Sequence, residues 1–160
     1  MNKKENTPYE LDNIDLSLLR HMQKEGRISN SKLSEKVNLS ETPCWRRWKK
    51  LEDEGYIDEY RAVLNRRKLG FNVVGFTQVT LGSHEEARTD QFEHFVNTAD
   101  WIPLCHCITG SADYFVQILA RDLDEYYERI NELRRVKGVS ALHSSVSVKE
   151  VKNHNLVPLD

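Results

Sequence analysis

The stretch that decides the fold is Asn30–Lys49, which reads NSKLSEKVNLSETPCWRRWK. Ser29, just before it, is a suitable N-cap for a first short helix, and residues 38–39 supply a turn. Ser40 can cap a second helix, whose first turn holds Pro43 where a missing N–H costs little. Two short helices joined by a tight turn predict a helix-turn-helix over residues 30–49.

The second helix of this pair has two chemically different faces. At about 100° per residue, Cys44, Trp48 and Leu51 fall on one apolar stripe. The candidates for contacts to DNA bases are Trp45, Arg46 and Lys49, and those for contacts to phosphate are Thr42, Arg47 and Lys50. A helix with such a face can enter the DNA major groove, where Arg46 is the best candidate for a bidentate contact to guanine.

The same pattern also suits an amphipathic helix with a solvated charged face. Glu41 and residues 52–54 bracket the basic side chains with negative charge, which weakens a simple basic-patch argument. Helix-turn-helix spacing alone produces many false matches. The rest of the chain therefore has to decide between the two interpretations.

Charge is distributed unevenly along the 160 residues, a length that suits one domain or two small ones. The net charge is −2, and a composition of 39% hydrophobic and 30% charged residues is ordinary for a globular protein. Residues 1–71 carry 15 Lys and Arg against 12 Asp and Glu, while residues 72–160 carry 8 against 13. This asymmetry suits one DNA-facing domain and one domain kept away from phosphates.

The chain has no apolar run as long as a membrane span, and its N-terminal MNKKENTPYE lacks the apolar core of a signal peptide. We therefore expect a cytoplasmic protein with no membrane partner.

The run Cys105-His106-Cys107 invites a metal or redox hypothesis. On a strand, however, the two cysteines share one face while the histidine points to the other, so the three do not converge on one ion. Packing is the favoured interpretation, and a metal- or thiol-linked sensor is the alternative. No catalytic residue, metal ligand or cofactor is predicted, and the chain is not expected to be an enzyme.

Periodicity and composition divide the chain into five parts. These are a flexible tail at 1–10, a winged helix-turn-helix at 11–64, a linker at 65–72, a second domain at 73–151 and a C-terminal tail at 152–160. The wing is predicted as a short strand pair over residues 56–57 and 60–64.

The second domain has the order β-α-β-β-α-β. The predicted strands are 73–81, 102–109, 114–120 and 139–148, and the predicted helices are 91–99 and 123–133. This order is the ferredoxin-like arrangement, an α+β fold with two helices on one face of an antiparallel sheet. Leu123, Tyr127, Ile130 and Leu133 are expected to face inward on the second helix.

Both faces of this sheet are predicted to carry apolar side chains. Alternation along the strands places Phe76 and Val79 on opposite faces, and does the same for Phe115 and Val116. Because the helices cover one face, the other needs a partner, which predicts a homodimer formed through the sheets.

Two segments together resemble the Lrp/AsnC (feast/famine) family of transcription regulators. They are TPCWRRWKKLEDEGYI at residues 42–57 and GSADYFV at residues 110–116, which is similar to the family's G-x-x-D-Y effector loop. The resemblance covers roughly residues 11–151. The TPCW variant looks most like that of the leucine-responsive and cysteine-responsive members.

The resemblance implies a sequence-specific regulator that binds double-stranded DNA and assembles as a homodimer, with higher oligomers such as octamers. It also implies a free amino-acid effector bound between dimers, with leucine, another branched-chain amino acid and cysteine all open. The implied effector-binding residues are Ile108, Thr109, Gly110, Asp113 and, more weakly, Ser144 and Ser145. Gly110 would let the loop approach the ligand closely, and Asp113 would accept from its ammonium group.

Two other classes of function remain compatible with the residues. Ferredoxin-like domains support many chemistries, so an enzyme or a metal-linked sensor is the first alternative. A protein-interaction module is the second, although the helix-turn-helix half argues against it.

Overall fold

The computed structural model describes residues 9–82, 86–153 and 156–159. The chain divides into a first unit, Met1–Val63 with Asn153–Asp160, and a second unit, Leu64–Lys152. Most of the predicted N-terminal tail, residues 1–8, lies outside the described residues. In the described part of the chain, no helix is long and apolar enough to cross a membrane.

The first unit contains the predicted helix-turn-helix. Its helices are α1 (Asn13–Met22), α2 (Asn30–Lys36) and α3 (Glu41–Asp53). Asp12 caps α1 in a capping box with Asp15, and the Ser29 hydroxyl accepts the backbone N–H of Lys32 at the start of α2. Ser40 stands at the N-cap of α3, but its side chain makes no capping hydrogen bond.

The predicted strand pair of the wing is wrong. Residues 56–65 are all described, and none of them is in a strand. Instead, the Tyr60 hydroxyl lies 2.6 Å from Nε1 of Trp48 and 2.9 Å from Oε1 of Glu52. Within the described chain, no second strand lies beside residues 56–65 to form a ladder with them. The side chain of Tyr60 attaches this segment to α3 instead.

The C-terminal segment packs on α1 within the first unit. The Gln23 carboxamide forms two hydrogen bonds of 3.0 Å with the backbone of Val157, donating to its carbonyl and accepting from its N–H. Nε of Arg20 donates to the carbonyl of Leu159 at 2.8 Å. Residues 156–159, predicted only as a tail, therefore have a defined docking site.

The second unit has the predicted order of elements. They are β1 (Val73–Leu81), α4 (Glu86–Thr98), β2 (Leu104–Cys107), β3 (Tyr114–Ala120), α5 (Leu123–Arg135) and β4 (Val139–Val146). The strands form an antiparallel sheet in the order β2-β3-β1-β4. This confirms the ferredoxin-like α+β fold.

One face of the sheet packs into the core of this unit, and the other is open. Val79 and Val116 are fully buried in a cluster with Phe92 of α4 and Leu133 of α5. On the opposite face, the rings of Phe76 and Phe115 stack at 5.6 Å between centroids and are only partly buried. The open face therefore also carries apolar side chains, as alternation predicts.

The inward face predicted for α5 is partly wrong. The structure buries Tyr126, Ile130 and Leu133, whereas Leu123 and Tyr127 are 63% and 64% exposed. The buried face is turned by roughly 40° from the predicted one, because Ile130 and Leu133 belong to both faces and Tyr126 takes the place of Leu123 and Tyr127. The reason lies in β1, where Gly75 leaves room for the Tyr126 ring.

Candidate nucleic-acid interface and effector loop

The turn between α2 and α3 sets the direction of the second helix. Asn38 adopts a left-handed conformation with φ of 53°, and the backbone N–H of Leu39 donates to the carbonyl of Ser34 at 2.9 Å. This is a Schellman ending of α2. In addition, Nδ2 of Asn30 donates to the carbonyl of Glu41 at 3.0 Å, which joins the starts of the two helices.

Helix α3 is amphipathic in the predicted sense. Cys44 and Leu51 are fully buried, and Trp48 packs against the same core. The exposed residues among the predicted DNA contacts are Thr42, Trp45, Arg46, Lys49 and Lys50. The ring of Trp45 is 56% exposed, which is unusual for a tryptophan without a binding role.

The two lysines of this face already have partners within the unit. Nζ of Lys49 lies 3.3 Å from Oε2 of Glu52 and 3.1 Å from Oδ1 of Asp53. These carboxylates, Asp53 first, raise the pKa of Lys49. Nζ of Lys50 lies 3.7 Å from the centroid of the Tyr9 ring, a cation–π contact. Exposed pairs of this kind are weak and can be exchanged for phosphate.

Arg46 and Arg47 are neighbours in different environments. Arg46 is exposed and, among the described residues, makes no hydrogen bond or ion pair. Nη1 of Arg47 instead lies 2.7 Å from Oδ2 of Asp12 and 2.8 Å from Oδ1 of Asp15. Asp15, followed by Asp12, raises the pKa of Arg47. The predicted phosphate contact at position 47 is thus an internal ion pair in the free protein.

Asp15 is the feature of this unit that sequence analysis missed. It is fully buried and lies on the core face of α1, in line with Leu18 and Met22. A carboxylate at an apolar position of a helix requires a cationic or hydrogen-bonding partner. That signal, together with the Asp12-x-x-Asp15 spacing of a capping box, could have identified the pair with Arg47.

The predicted effector loop connects β2 to β3. Gly110 has φ of 119°, a conformation that favours glycine, and beyond its two chain neighbours no atom of the described residues lies within 4 Å of the position a Cβ would take. The backbone N–H of Ile108 donates to the carbonyl of Asp113 at 2.8 Å and closes the loop. Thr109 and Gly110 are exposed at its tip.

Asp113 attaches this loop to the end of β1. Its Oδ2 accepts the backbone N–H of Leu81 at 2.7 Å, and its own N–H donates to the carbonyl of Val79 at 2.9 Å. At least one oxygen of this carboxylate therefore has a structural partner.

Ser144 lies away from the loop. Its hydroxyl is 3.1 Å from that of Thr77, opposite which it stands in the sheet. Thr77 and Leu81 are separated by about 13 Å along β1, at about 3.3 Å per residue. The structure thus brings Ile108, Gly110 and Asp113 together but not Ser144.

The cysteine run lies on β2 as alternation predicts. Cys105 and Cys107 pair with Val116 and Tyr114, so both side chains are on the helix side of the sheet, where Cys105 is half-buried and Cys107 is exposed. Burial, with a smaller effect from Glu93, raises the pKa of Cys105 to about 11. Such a thiol is a poor nucleophile at neutral pH, which favours packing over redox sensing for Cys105. The described residues contain no group of three or more His, Cys, Asp or Glu side chains placed to hold a metal ion.

The fold and the exposed face of α3 define a protein with a helix-turn-helix unit and a second, ferredoxin-like unit. Two family models match these two parts of the chain separately. A model described as winged helix-turn-helix DNA-binding matches residues 11–58. A model described as Lrp/AsnC ligand binding domain matches residues 74–157. The chain belongs to the Lrp/AsnC family of transcription regulators.

Individual relatives match over nearly the whole chain. The proline dehydrogenase transcriptional activator of Rhizobium radiobacter is 38% identical over 88% of this chain and 93% of its own length. The leucine-responsive regulatory protein of Escherichia coli strain K12 is 37% identical, over 91% of this chain and 90% of its own length. A solved transcriptional regulator of Neisseria meningitidis in complex with L-Met has a TM-score of 0.91 at 31% identity and covers 94% of this chain and 98% of its own.

Proposed function

We propose that this regulator reads DNA with α3 in the major groove and responds to a free amino acid bound at the loop of residues 108–113. The observation that carries the DNA-reading part is Arg46 on the outer face of the helix, an exposed guanidinium that makes no hydrogen bond or ion pair with the described residues. An arginine in that position can donate two hydrogen bonds to guanine O6 and N7.

The other exposed residues of α3 have complementary roles. Trp45 and Lys49 lie on the same side of the helix as Arg46 and would approach neighbouring bases. Thr42 and Lys50 flank them and would contact phosphate. Since exchange of an exposed carboxylate for a phosphate costs a lysine little, the contacts of Lys49 with Glu52 and Asp53 do not prevent this role.

A direct test replaces Arg46. Arg46→Ala should weaken binding to a DNA fragment selected by the wild-type protein by about 1–3 kcal/mol and relax the preference at one base position. Arg135→Ala, which removes an exposed arginine from α5, serves as the matched control. Equal affinities of the two variants in a mobility-shift titration would refute the role of Arg46.

Self-association through the open sheet face is the second part of the proposal. The stacked rings of Phe76 and Phe115 lie on a face that the helices of the unit leave uncovered. Packing this face against that of a second copy would remove both rings from water, with about 25 cal/mol gained per Å² of apolar surface. Further assembly to tetramers or octamers, as the family resemblance implies, would build on that dimer.

The effector part rests on the loop around Gly110. Its left-handed glycine and exposed backbone at Thr109 allow a small ligand to approach the main chain closely. We assign to Asp113 the attachment of the loop to β1, with the ammonium group of the ligand as a second partner. Ser144 is a weaker candidate because it lies far along β1 from this loop.

Methionine and leucine are the first effectors to test, because a solved relative is described as an L-Met complex and a curated relative as leucine-responsive. A thermal-shift screen of the twenty amino acids would identify the effector, since a ligand that binds the folded state alone raises its stability. Because DNA is the partner, we also propose the cytoplasmic location that the sequence predicts and a regulatory rather than enzymatic role.

A further inference from the structure

The contact that joins α3 to the start of α1 centres on one nitrogen. Nη1 of Arg47 lies 2.7 Å from Oδ2 of Asp12 and 2.8 Å from Oδ1 of Asp15, so a single donor group is shared by two carboxylates. Arg47 stands midway along α3, and the two aspartates stand on the first turn of α1. The ion pair therefore connects the predicted DNA-reading helix to the helix beneath it.

Both carboxylates are held by further hydrogen bonds. Oδ1 of Asp12 accepts the backbone N–H groups of Ile14 and Asp15 at 2.9 and 2.8 Å, and so caps α1. Oδ2 of Asp15 accepts the Tyr9 hydroxyl at 2.6 Å and the backbone N–H of Asp12 at 3.1 Å. The acceptors for Arg47 are thus held in position by hydrogen bonds that do not involve α3.

Burial makes the pair difficult to exchange. The side chain of Asp15 is fully buried, while that of Arg47 is 31% exposed. If Arg47 turned outward to a phosphate, the carboxylate of Asp15 would remain in the core without its cation, which is strongly unfavourable. The lysine pairs on the exposed face of α3 carry no such penalty, because both of their partners are solvated.

From this geometry we infer that Arg47 is a positioning residue for DNA recognition, which with Asp12 and Asp15 fixes the rotation of α3 and makes no phosphate contact. Neighbouring side chains on a helix differ in direction by about 100°. Fixing Arg47 against α1 therefore directs Arg46 away from the core, toward the base edges. The inference rests on the proposed function, in which the outer face of α3 reads DNA.

The two possible roles of Arg47 predict changes of opposite sign when an aspartate is neutralised. If Arg47 contacts phosphate, Asp12→Asn removes a competing negative charge and should tighten binding to any DNA. If Arg47 positions the helix, the same change loosens α3 and should weaken binding to a selected sequence. Asparagine is as good an N-cap as aspartate, so Asp12→Asn keeps the cap of α1 and the fold.

The experiment uses the full chain and two DNA fragments of equal length, one selected from a random library by the wild-type protein and one unrelated. Titrations are run at a temperature where circular dichroism shows every variant folded. For Asp12→Asn we expect roughly tenfold weaker binding to the selected fragment, as for one mismatched base pair, and unchanged or slightly tighter binding to the unrelated one. A residue that only stabilised the fold would leave both affinities of the folded protein unchanged.

Salt dependence supplies a second measurement. Arg47→Gln should weaken specific binding while keeping the wild-type slope of log K against log salt concentration. Lys50→Gln, which removes a proposed phosphate contact, should reduce the magnitude of that slope by about 0.9. Arg47 would be shown to contact phosphate if Arg47→Gln reduced the slope by the same amount, or if Asp12→Asn bound both fragments more tightly than wild type. Unchanged affinities of Asp12→Asn for both fragments would overturn the positioning role and leave the ion pair as a contact that only stabilises the fold. A wild-type protein that selected no sequence would instead overturn the proposed function together with this inference.

Discussion

The ring of Tyr126 on α5 occupies the space that a side chain at Gly75 on β1 would need. A Cβ at position 75 would lie 2.1 Å from Cε2 of Tyr126, well inside van der Waals contact. The tyrosine is 8% exposed and both residues are in the core of the second unit. The absence of a side chain on β1 thus decides which face of α5 turns toward the sheet.

Gly75→Ala should destabilise the protein by about 1–3 kcal/mol, because the added methyl group forces Tyr126 from its position. Chemical denaturation monitored by circular dichroism measures the change. Gly26→Ala is the matched control, since a Cβ there meets no atom within 4 Å. If both variants unfolded at the same denaturant concentration as wild type, the packing of Tyr126 on Gly75 would not be the constraint described.

The stability of the first unit should fall at alkaline pH through Tyr9. The hydrogen bond to Asp15, helped by burial, raises the pKa of Tyr9 from 10.0 to about 12. Since the folded state holds this proton more tightly than the unfolded state, its contribution is complete below pH 10 and is lost as pH rises toward 12. Urea denaturation in that pH range should show a smaller loss for Tyr9→Phe than for wild type.

Tyr127→Phe is the control for this experiment, because Tyr127 is exposed on α5. It should lose stability with pH as wild type does. An equally steep loss in Tyr9→Phe and wild type would disprove the link between Tyr9 ionisation and stability.

Asp113→Ala should retain DNA binding and lose the response to the amino acid. The substitution leaves the backbone N–H of Leu81 without its acceptor and removes a side-chain hydrogen bond that holds the loop of residues 108–113 to β1, while the backbone hydrogen bond from residue 113 to Val79 remains. Calorimetry with methionine and leucine, together with DNA titrations in the presence and absence of each, measures both properties. Asp100→Ala, an exposed carboxylate elsewhere in the unit, should behave as wild type. Full-strength effector binding by Asp113→Ala would remove the role proposed for this residue.

Phe76→Asp should dissociate the dimer proposed to form through the open sheet face. A carboxylate buried between two apolar sheets has no partner there, and the energetic cost is large. Sedimentation velocity of the variant should show the monomer at concentrations where the wild type is assembled. Tyr127→Asp places the same charge on the outer face of α5 and should leave assembly intact. A wild-type sedimentation coefficient for Phe76→Asp would show that the subunits associate elsewhere.

Local sequence signals predicted the helix cap at Ser29 and the turn at residues 38–39, whose hydrogen bonds are local. The bounds of β1 and β3 also agree with the structure, because runs of β-branched and aromatic residues ended by turn signals mark them. The strand pair predicted for the wing was wrong because a strand requires a neighbouring strand. Periodicity in one segment does not show whether that neighbour is present.

The candidate site residues likewise separate into those described by local spacing and those whose partners are distant in sequence. The exposed face of α3 follows from helical geometry alone, so the exposure of Trp45, Arg46 and Lys49 could be predicted from their spacing. The partners of Arg47 and Asp113 are 32 or more residues away in sequence, at Asp15 and Leu81. No local pattern contains such a contact.

The amino-acid sequence by itself determined the two-part α+β architecture, the amphipathic character of α3 and the family resemblance, because these depend on periodicity, capping and motif spacing. Tertiary structure alone decided that Arg47 turns inward, that Asp113 holds its loop to β1 and that Tyr126 rather than Tyr127 enters the core. The physical reason is that burial and pairing depend on which surfaces meet, and a charged or aromatic residue takes its role from the partner across that contact.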